Sequence, residues 1–158
     1  MNILLVDDDQ NLVTTLSYGL RKAMGEAVSV AICFSGSEAL SMLATQRFNV
    51  VISDFHMPGI SGLELLNKIK QDHREMILVL ITAFGTDVLE EEVHQSGIGY
   101  ITKPFEPSYL VQIISGLIRD AETAKIRDAT ENVSRVMDEL GKPAGSSPSV
   151  DRRSLASS

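Results

Sequence analysis

The sequence predicts a doubly wound α/β fold, in which helices cover both faces of one parallel five-stranded sheet. Five short apolar runs alternate with segments of helical periodicity through the first 120 residues. Three of these runs are apolar without alternation, the pattern of strands that are buried on both faces. Five strand–helix units in series favour a parallel sheet with right-handed crossovers.

The elements are predicted from the positions of the apolar residues. Strands are expected at 3–6, 28–32, 50–52, 77–81 and 99–101, and helices at 9–23, 36–46, 62–71, 87–95 and 106–119. The first helix carries an apolar stripe of Leu12, Leu16 and Leu20. The last carries a second stripe, formed by Leu110, Ile113, Ile114, Leu117 and Ile118. Gly59 and Gly62 predict a turn around Met57-Pro58, before the third helix.

The chain changes character after Arg119, where a heptad-like seam begins. Its apolar positions are Ile126, Ala129, Val133, Val136 and Leu140. Residues 122–140 are therefore predicted to be a helical extension or linker. The seam covers only two heptads and has two interpretations, a dimer interface and a surface that docks on the chain's own domain. Residues 141–158 are rich in Ser, Gly and Pro and are predicted to be a disordered tail.

Composition and charge exclude several classes of function. The chain has 158 residues and a net charge of −7, all of it from the excess of acids in residues 1–121. An acidic surface repels phosphate backbones, which argues against direct nucleic-acid binding. The single cysteine, Cys33, excludes a disulfide framework within one chain, and no apolar stretch is long enough for a membrane span. We expect a cytoplasmic protein.

Polar residues follow four of the five predicted strands. Asp7-Asp8-Asp9 follows the first strand, Asp54 the third, Thr82 the fourth and Lys103-Pro104 the fifth. Sites in open parallel sheets form beyond the carboxyl ends of the strands. We therefore expect these residues to converge at one edge of the sheet.

Three carboxylates at one edge, those of Asp7, Asp8 and Asp54, call for a cation. Two unit charges ~4 Å apart repel by ~4 kcal/mol at an effective dielectric constant near 20. Oxygen-only ligands suit Mg²⁺, a hard ion that also accepts phosphate oxygens. Together with the Lys103 ammonium and the Thr82 hydroxyl, this set predicts stabilisation of negative charge during phosphoryl transfer, with a carboxylate as nucleophile.

Four motifs carry a family resemblance. They are Val6-Asp7-Asp8, the segment from Asp54 to Gly62, Thr82-Ala83 and the segment from Tyr100 to Phe105. In this order, each at the end of a predicted strand, they resemble the receiver domain of two-component response regulators over residues 1–121. The resemblance implies a flavodoxin-like fold with strand order 2-1-3-4-5. Residues 81–84 and 103–106 are similar to receivers of the NtrC class of transcriptional activators.

The resemblance implies a role for each residue of the acidic edge. Asp54 would be the phosphoacceptor and a ligand of Mg²⁺. Asp8 would bind the ion directly, Asp7 mainly through water, and His56 through its backbone carbonyl. Lys103 would contact the phosphoryl oxygens.

The resemblance also implies a conformational switch. Thr82 would contact the phosphoryl group, and Tyr100 would swing inward when the Thr82 hydroxyl moves. The Lys103–Pro104 peptide bond is expected to be cis. Phe84 lies two residues beyond Thr82, and we expect it to hinder the water that hydrolyses an aspartyl phosphate.

The resemblance further implies the partners. A histidine kinase or phosphotransfer protein would donate the phosphoryl group, so the chain would be a signalling phosphoacceptor rather than an enzyme. The surface of helix 4, strand 5 and helix 5, within residues 87–119, would contact a downstream protein or an output domain outside this chain. A homodimer would form through this surface or through the helix at 122–140.

Simpler interpretations remain open for single residues and for the function. Asp7, Asp8 and Asp9 could cap the first helix, with Asp9 the best candidate. Thr82 could be an ordinary strand residue, Lys103 a surface lysine and Tyr100 a core residue. The chain could also be a haloacid-dehalogenase-type phosphatase, although it lacks a substrate-capping insertion, or an interaction module independent of phosphorylation.

Overall fold

The computed structural model describes residues 1–140 and contains one five-stranded parallel sheet. The strands are β1 (Asn2–Val6), β2 (Ser29–Cys33), β3 (Val50–Asp54), β4 (Ile77–Thr82) and β5 (Gly99–Thr102). Their order is β2-β1-β3-β4-β5. The predicted doubly wound fold with strand order 2-1-3-4-5 is confirmed.

The sheet register places the ends of β3, β4 and β5 side by side. Asp54, the last residue of β3, pairs with Ile81 of β4. Thr82, the last residue of β4, pairs with Thr102, the last residue of β5. On the other side, Val6 at the end of β1 pairs with Ser53. Because all pairs are parallel, the residues that follow these strands emerge at one edge, as the sequence predicts.

The helices begin and end close to the predicted positions. They are α1 (Gln10–Met24), α2 (Gly36–Thr45), α3 (Gly62–Asp72), α4 (Asp87–Gln95) and α5 (Pro107–Leu140), with a short 3₁₀ turn at Gly25–Ala27 after α1. Side-chain oxygens of Asp9, Ser35, Ser61 and Thr86 cap the first four helices. The last predicted helix and the predicted extension form one helix, since no Gly or Pro interrupts the chain between Gly116 and Leu140.

Two apolar clusters cover the two faces of the sheet. On one face, Leu16 and Leu20 of α1 and Leu110 and Ile114 of α5 pack against the strands. On the other face, the packing residues come from α2, α3 and α4, among them Ala39, Leu65, Leu66, Ile69 and Val93. The three central strands, β1, β3 and β4, are therefore buried on both faces, which explains their unbroken apolar runs.

The chain divides into two units, of which the first spans residues 1–120 and the second begins at Ala121. The second unit is described as far as Leu140, so the predicted disordered tail lies outside the described residues. Its large apolar side chains, those of Ile126, Val133, Val136, Met137 and Leu140, are exposed. None of the helices at residues 1–140 is both long enough and apolar enough to span a membrane.

Candidate functional site

Three carboxylates meet at the carboxyl edge of the sheet. Asp7 and Asp8 follow β1, and Asp54 ends β3. One oxygen atom from each of these side chains lies within 4.8 Å of the other two. Asp7 and Asp54 are buried, whereas Asp8 is exposed. Three oxygen donors with an open side form the kind of incomplete ligand set that Mg²⁺ occupies together with waters and phosphate oxygens.

Lys103 supplies the cation that holds two of the carboxylates together. Its Nζ lies 2.5 Å from Asp54 Oδ1 and 3.2 Å from Asp7 Oδ2. Burial of the ammonium group opposes its charge, but the hydrogen bonds and charges of Asp54 and Asp7 outweigh burial and raise the pKa of Lys103. Lys103 is therefore a charged member of the site and not a solvated surface residue.

Backbone amides orient the two buried carboxylates. The amide of His56 donates to Asp54 Oδ2 at 2.8 Å, and the amide of Asp9 donates to Asp7 Oδ1 at 2.9 Å. Burial, reinforced by the charge of Asp54, raises the pKa of Asp7, although the Asp9 amide and Lys103 favour its ionised form. A cation bound at this edge would relieve that cost of burying charge.

The three consecutive aspartates have different surroundings. Asp9 caps α1, since its Oδ1 accepts hydrogen bonds from the amides of Asn11 and Leu12 at 3.0 and 3.1 Å. Asp7 and Asp8 belong to the acidic cluster instead. The capping interpretation therefore applies to Asp9 alone.

Thr82 ends β4 and is completely buried. Its Oγ1 accepts a hydrogen bond from the amide of Phe84 at 3.1 Å. The backbone carbonyl of Thr82 in turn accepts from the amide of Lys103 at 2.7 Å. Thr82 thus connects the β4–α4 loop to Lys103, the residue that neutralises the carboxylates. The peptide bond between Lys103 and Pro104 is cis, as predicted.

Three aromatic residues lie in the loops that follow β3 and β4. The ring of His56 makes edge contacts with Phe55 and Phe84, at centroid distances of 4.7 and 5.5 Å. Phe84 is 73% exposed. The amide of His56 binds Asp54, so the contact of its ring with Phe84 connects the β4–α4 loop to the residue that the sequence predicts as nucleophile.

Tyr100 lies in β5, partly buried against the apolar cluster beneath α4. Its ring makes an edge contact with His94, at a centroid distance of 6.4 Å. Its hydroxyl oxygen is buried and has no hydrogen-bond partner among residues 1–140. An inward aromatic side chain with an unsatisfied hydroxyl fits neither a simple core residue nor a surface residue.

Two residues that support Asp54 were not predicted for that role. The buried hydroxyl of Ser53 donates to the carbonyl oxygen of Asp54 at 3.0 Å. Gly62 faces the same carbonyl so closely that a methyl carbon at its Cα would lie 1.9 Å from the oxygen. A hydroxyl residue between the apolar run Val50–Ile52 and Asp54 was the available signal for Ser53, whereas Gly62 was predicted only as a turn residue.

Comparisons with known proteins point to one family. The family model described as "Response regulator receiver domain" matches residues 3–115. The chain is 37% identical over 114 residues to the response regulator protein FleR of Pseudomonas aeruginosa, and 33% identical over 115 residues to the DNA-binding transcriptional regulator NtrC of Klebsiella pneumoniae. Each match covers 72% of this chain and 24% of the relative, so the chain spans about a quarter of the length of these relatives.

Solved structures of the same kind share the fold. A CheY-like receiver domain protein from Methanospirillum hungatei superposes with a TM-score of 0.70 at 26% identity, covering 78% of this chain and 97% of that one. The beryllofluoride-activated DrrB receiver domain superposes with a TM-score of 0.66 at 28% identity, covering 75% of this chain and 97% of that one.

Proposed function

The chain belongs to the response regulator receiver domain family, and we propose that it is a phosphorylation-activated switch in which Asp54 accepts the phosphoryl group. The observation that carries the proposal is the position of Lys103, 2.5 Å from Asp54 and 3.2 Å from Asp7, beside the exposed carboxylate of Asp8. This arrangement combines a nucleophile, a positive charge and ligands for a cation at one open edge.

The cation we propose is Mg²⁺. Asp7, Asp8 and Asp54 would hold it through carboxylate oxygens, and His56 through its backbone carbonyl. When bound, Mg²⁺ supplies charge neutralisation for the phosphoryl oxygens and relieves the repulsion among the three acids. Asp8 is exposed, whereas both carboxylate oxygens of Asp7 already accept hydrogen bonds, from the Asp9 amide and from Lys103, which supports direct binding by Asp8 and water-mediated binding by Asp7.

The transfer step uses residues already in contact. An Asp54 carboxylate oxygen attacks the phosphorus of a phosphohistidine on a histidine kinase or phosphotransfer protein. The oxygen–phosphorus bond forms as the phosphorus–nitrogen bond breaks, and the electron pair of that bond returns to the imidazole nitrogen. Lys103 then pairs with a phosphoryl oxygen, and its tether to Asp54 Oδ1 keeps it within reach.

The response begins at Thr82. Its hydroxyl oxygen accepts from the amide of Phe84, so its proton is available to a phosphoryl oxygen. Movement of Thr82 toward that oxygen would pull on the β4–α4 loop and change the surroundings of Tyr100. The surface of α4, β5 and α5 would then shift its population toward a second conformation, and this shift would change its affinity for a target.

The family and the named relatives support a proposal about the partners. The relatives FleR and NtrC are about four times as long as the region matched here, and NtrC is named a DNA-binding transcriptional regulator. We therefore propose that the target is a downstream protein or an output domain outside this chain. A homodimer would use the α4–β5–α5 surface or the exposed seam of residues 126–140.

We propose that the protein is cytoplasmic. We also propose that it is a phosphoacceptor whose only chemistry is its own phosphorylation and dephosphorylation.

The test is phosphorylation by a small donor. Incubation with acetyl phosphate and Mg²⁺ is expected to add the mass of one phosphoryl group, and chelation or Asp54→Asn is expected to abolish the addition. Asp9→Asn is the matched control, because Asp9 caps α1 outside the acidic cluster, and it should still be phosphorylated. A phosphoryl group that persists in Asp54→Asn would contradict the assignment.

A further inference from the structure

Gly85, in the loop between β4 and α4, lies against the end of the Tyr100 side chain. A methyl carbon added at its Cα would lie 2.6 Å from the Tyr100 hydroxyl oxygen and 3.4 Å from Cγ2 of Thr102. The first distance is far below van der Waals contact. Gly85 does not have the positive φ of Gly25, Gly59 and Gly97. The space beside Tyr100, and not the backbone conformation, is therefore what requires a glycine here.

The buried position of Tyr100 is poorly satisfied. Its hydroxyl oxygen is removed from water and makes no hydrogen bond within the described part of the chain. A buried hydroxyl without a partner costs free energy that the same group recovers in water. Packing of the ring against His94 and the apolar cluster favours the buried position. The unpaired hydroxyl disfavours the buried position of Tyr100 and the packing of its ring favours it. A small change in the space available can therefore change the position of this side chain.

We propose that Gly85 is a positioning residue that keeps open the space for the Tyr100 hydroxyl and so sets the balance between a buried and a solvent-facing ring. The effect of Gly85 on signalling rests on the proposed function, in which Thr82 starts the response. Gly85 lies three residues after Thr82, and Tyr100 lies two residues before Thr102, which pairs with Thr82 in the sheet. The positioning itself requires no phosphorylation.

The side chain of Tyr100, and not the backbone, is the group that would yield to a methyl group on Gly85. The close contact involves the far end of a side chain that rotates about two torsions. The next nearest atoms, Cγ2 and Oγ1 of the exposed residue Thr102, would lie at 3.4 and 3.5 Å, which is close to ordinary van der Waals contact. Turning the ring outward also returns the hydroxyl to water. Gly85→Ala should therefore shift Tyr100 toward solvent without unfolding the protein.

The experiment is ¹⁹F NMR of the full chain labelled with 3-fluorotyrosine. The three tyrosines are Tyr18, Tyr100 and Tyr109, of which Tyr18 and Tyr109 are exposed and provide internal references. Tyr100→Phe assigns the third signal. A soluble paramagnetic agent should broaden the Tyr100 signal at least twice as strongly in Gly85→Ala as in wild type. Equal broadening in the two proteins would overturn the proposal.

Gly116→Ala is the matched control. A methyl group there comes no closer than 4.0 Å to any atom outside its own helix backbone, the nearest being Nη2 of Arg119. This variant should leave the Tyr100 signal at its wild-type exposure. An equal response in Gly116→Ala would show that any added methyl group loosens the structure, which would also contradict a specific role for Gly85.

Removal of the hydroxyl provides the rescue. In the Tyr100→Phe background, Gly85→Ala should shift the urea unfolding midpoint less than it does in the wild-type background, because the oxygen atom that the methyl group meets is absent. Equal shifts would overturn the proposal. If Gly85→Ala fails to fold, folding of the double variant supports the proposal and its failure contradicts it. No phosphoryl donor is used, so failure of Asp54 phosphorylation would not affect these results.

Discussion

The ammonium nitrogen of Lys103 lies 2.5 Å from Oδ1 of Asp54, although 49 residues separate them along the chain. The same nitrogen reaches Asp7, 96 residues away. One lysine therefore joins the ends of three strands, β1, β3 and β5, at the site. Its removal should affect both the stability of the apo protein and the binding of a cation.

Lys103→Met should lower the free energy of unfolding in metal-free buffer at pH 7 by about 1–3 kcal/mol, because it leaves two buried carboxylates without their charged partner. Mg²⁺ should restore part of this loss, since a cation that binds only the folded state stabilises it. Urea denaturation with chelator and with added Mg²⁺ measures both effects. Lys68→Met, on the exposed face of α3, is the control, and an equal loss in that variant would argue against the Asp54–Lys103 pair.

The stabilisation by Lys103 should disappear at alkaline pH. Its pKa is raised in the folded protein by Asp54 and Asp7, against the effect of burial. The folded state therefore binds the proton more tightly, and the contribution is complete below the ordinary lysine pKa of ~10.4 and lost as the pH rises through the higher folded value. The difference in unfolding free energy between wild type and Lys103→Met should shrink across that range. A constant difference up to pH 11 would show that the charge of Lys103 contributes nothing.

Gly62→Ala should lower the free energy of unfolding by about 1–3 kcal/mol, the usual cost of overpacking. The backbone oxygen of Asp54 cannot move aside as the end of a side chain can. The added carbon would lie 1.9 Å from the carbonyl oxygen of Asp54 and 2.9 Å from the hydroxyl of Ser53. Thermal or urea unfolding measures the loss. Gly116→Ala is the matched control and should be neutral or slightly stabilising, because alanine favours helix more than glycine does.

Phe84→Ala should shorten the lifetime of the aspartyl phosphate, because the exposed ring of Phe84 packs on His56 beside the site and restricts the approach of water. The decay of the phosphorylated mass after removal of the donor measures the lifetime. Val88 is also an exposed apolar residue but lies on α4, and the phosphate of Val88→Ala should decay at the wild-type rate. Faster hydrolysis in wild type than in Phe84→Ala would refute the role of this ring.

Cys33 should be unreactive in the folded protein. It is completely buried at the end of β2, and burial raises the pKa of its thiol to about 12. Only the thiolate attacks a disulfide reagent, so modification at pH 8 should be slow in native buffer and rapid in denaturing urea. The absorbance of the released thiolate follows the reaction. Rapid native modification would show that the β2–α2 region opens readily.

The strands and the edge at which the polar residues meet could be predicted from the sequence. Periodicity and unbroken apolar runs are local signals, and strand polarity alone brings Asp7, Asp54, Thr82 and Lys103 to one edge. The helical seam after Arg119 was predicted for the same reason. Its continuity with the preceding helix was not, because the change from a sheet-facing stripe to an exposed seam looks like a boundary in the sequence.

The closest contacts around the site depended on tertiary structure alone. Ser53 donates to the carbonyl oxygen of Asp54, Gly62 leaves space for that oxygen, and Gly85 leaves space for Tyr100, yet none of these pairs has a spacing that a sequence pattern would reveal. Residue type and strand order determine which groups share an edge. Distances of a few ångströms between them are decided by how loops and helices pack, which involves residues far apart in the chain.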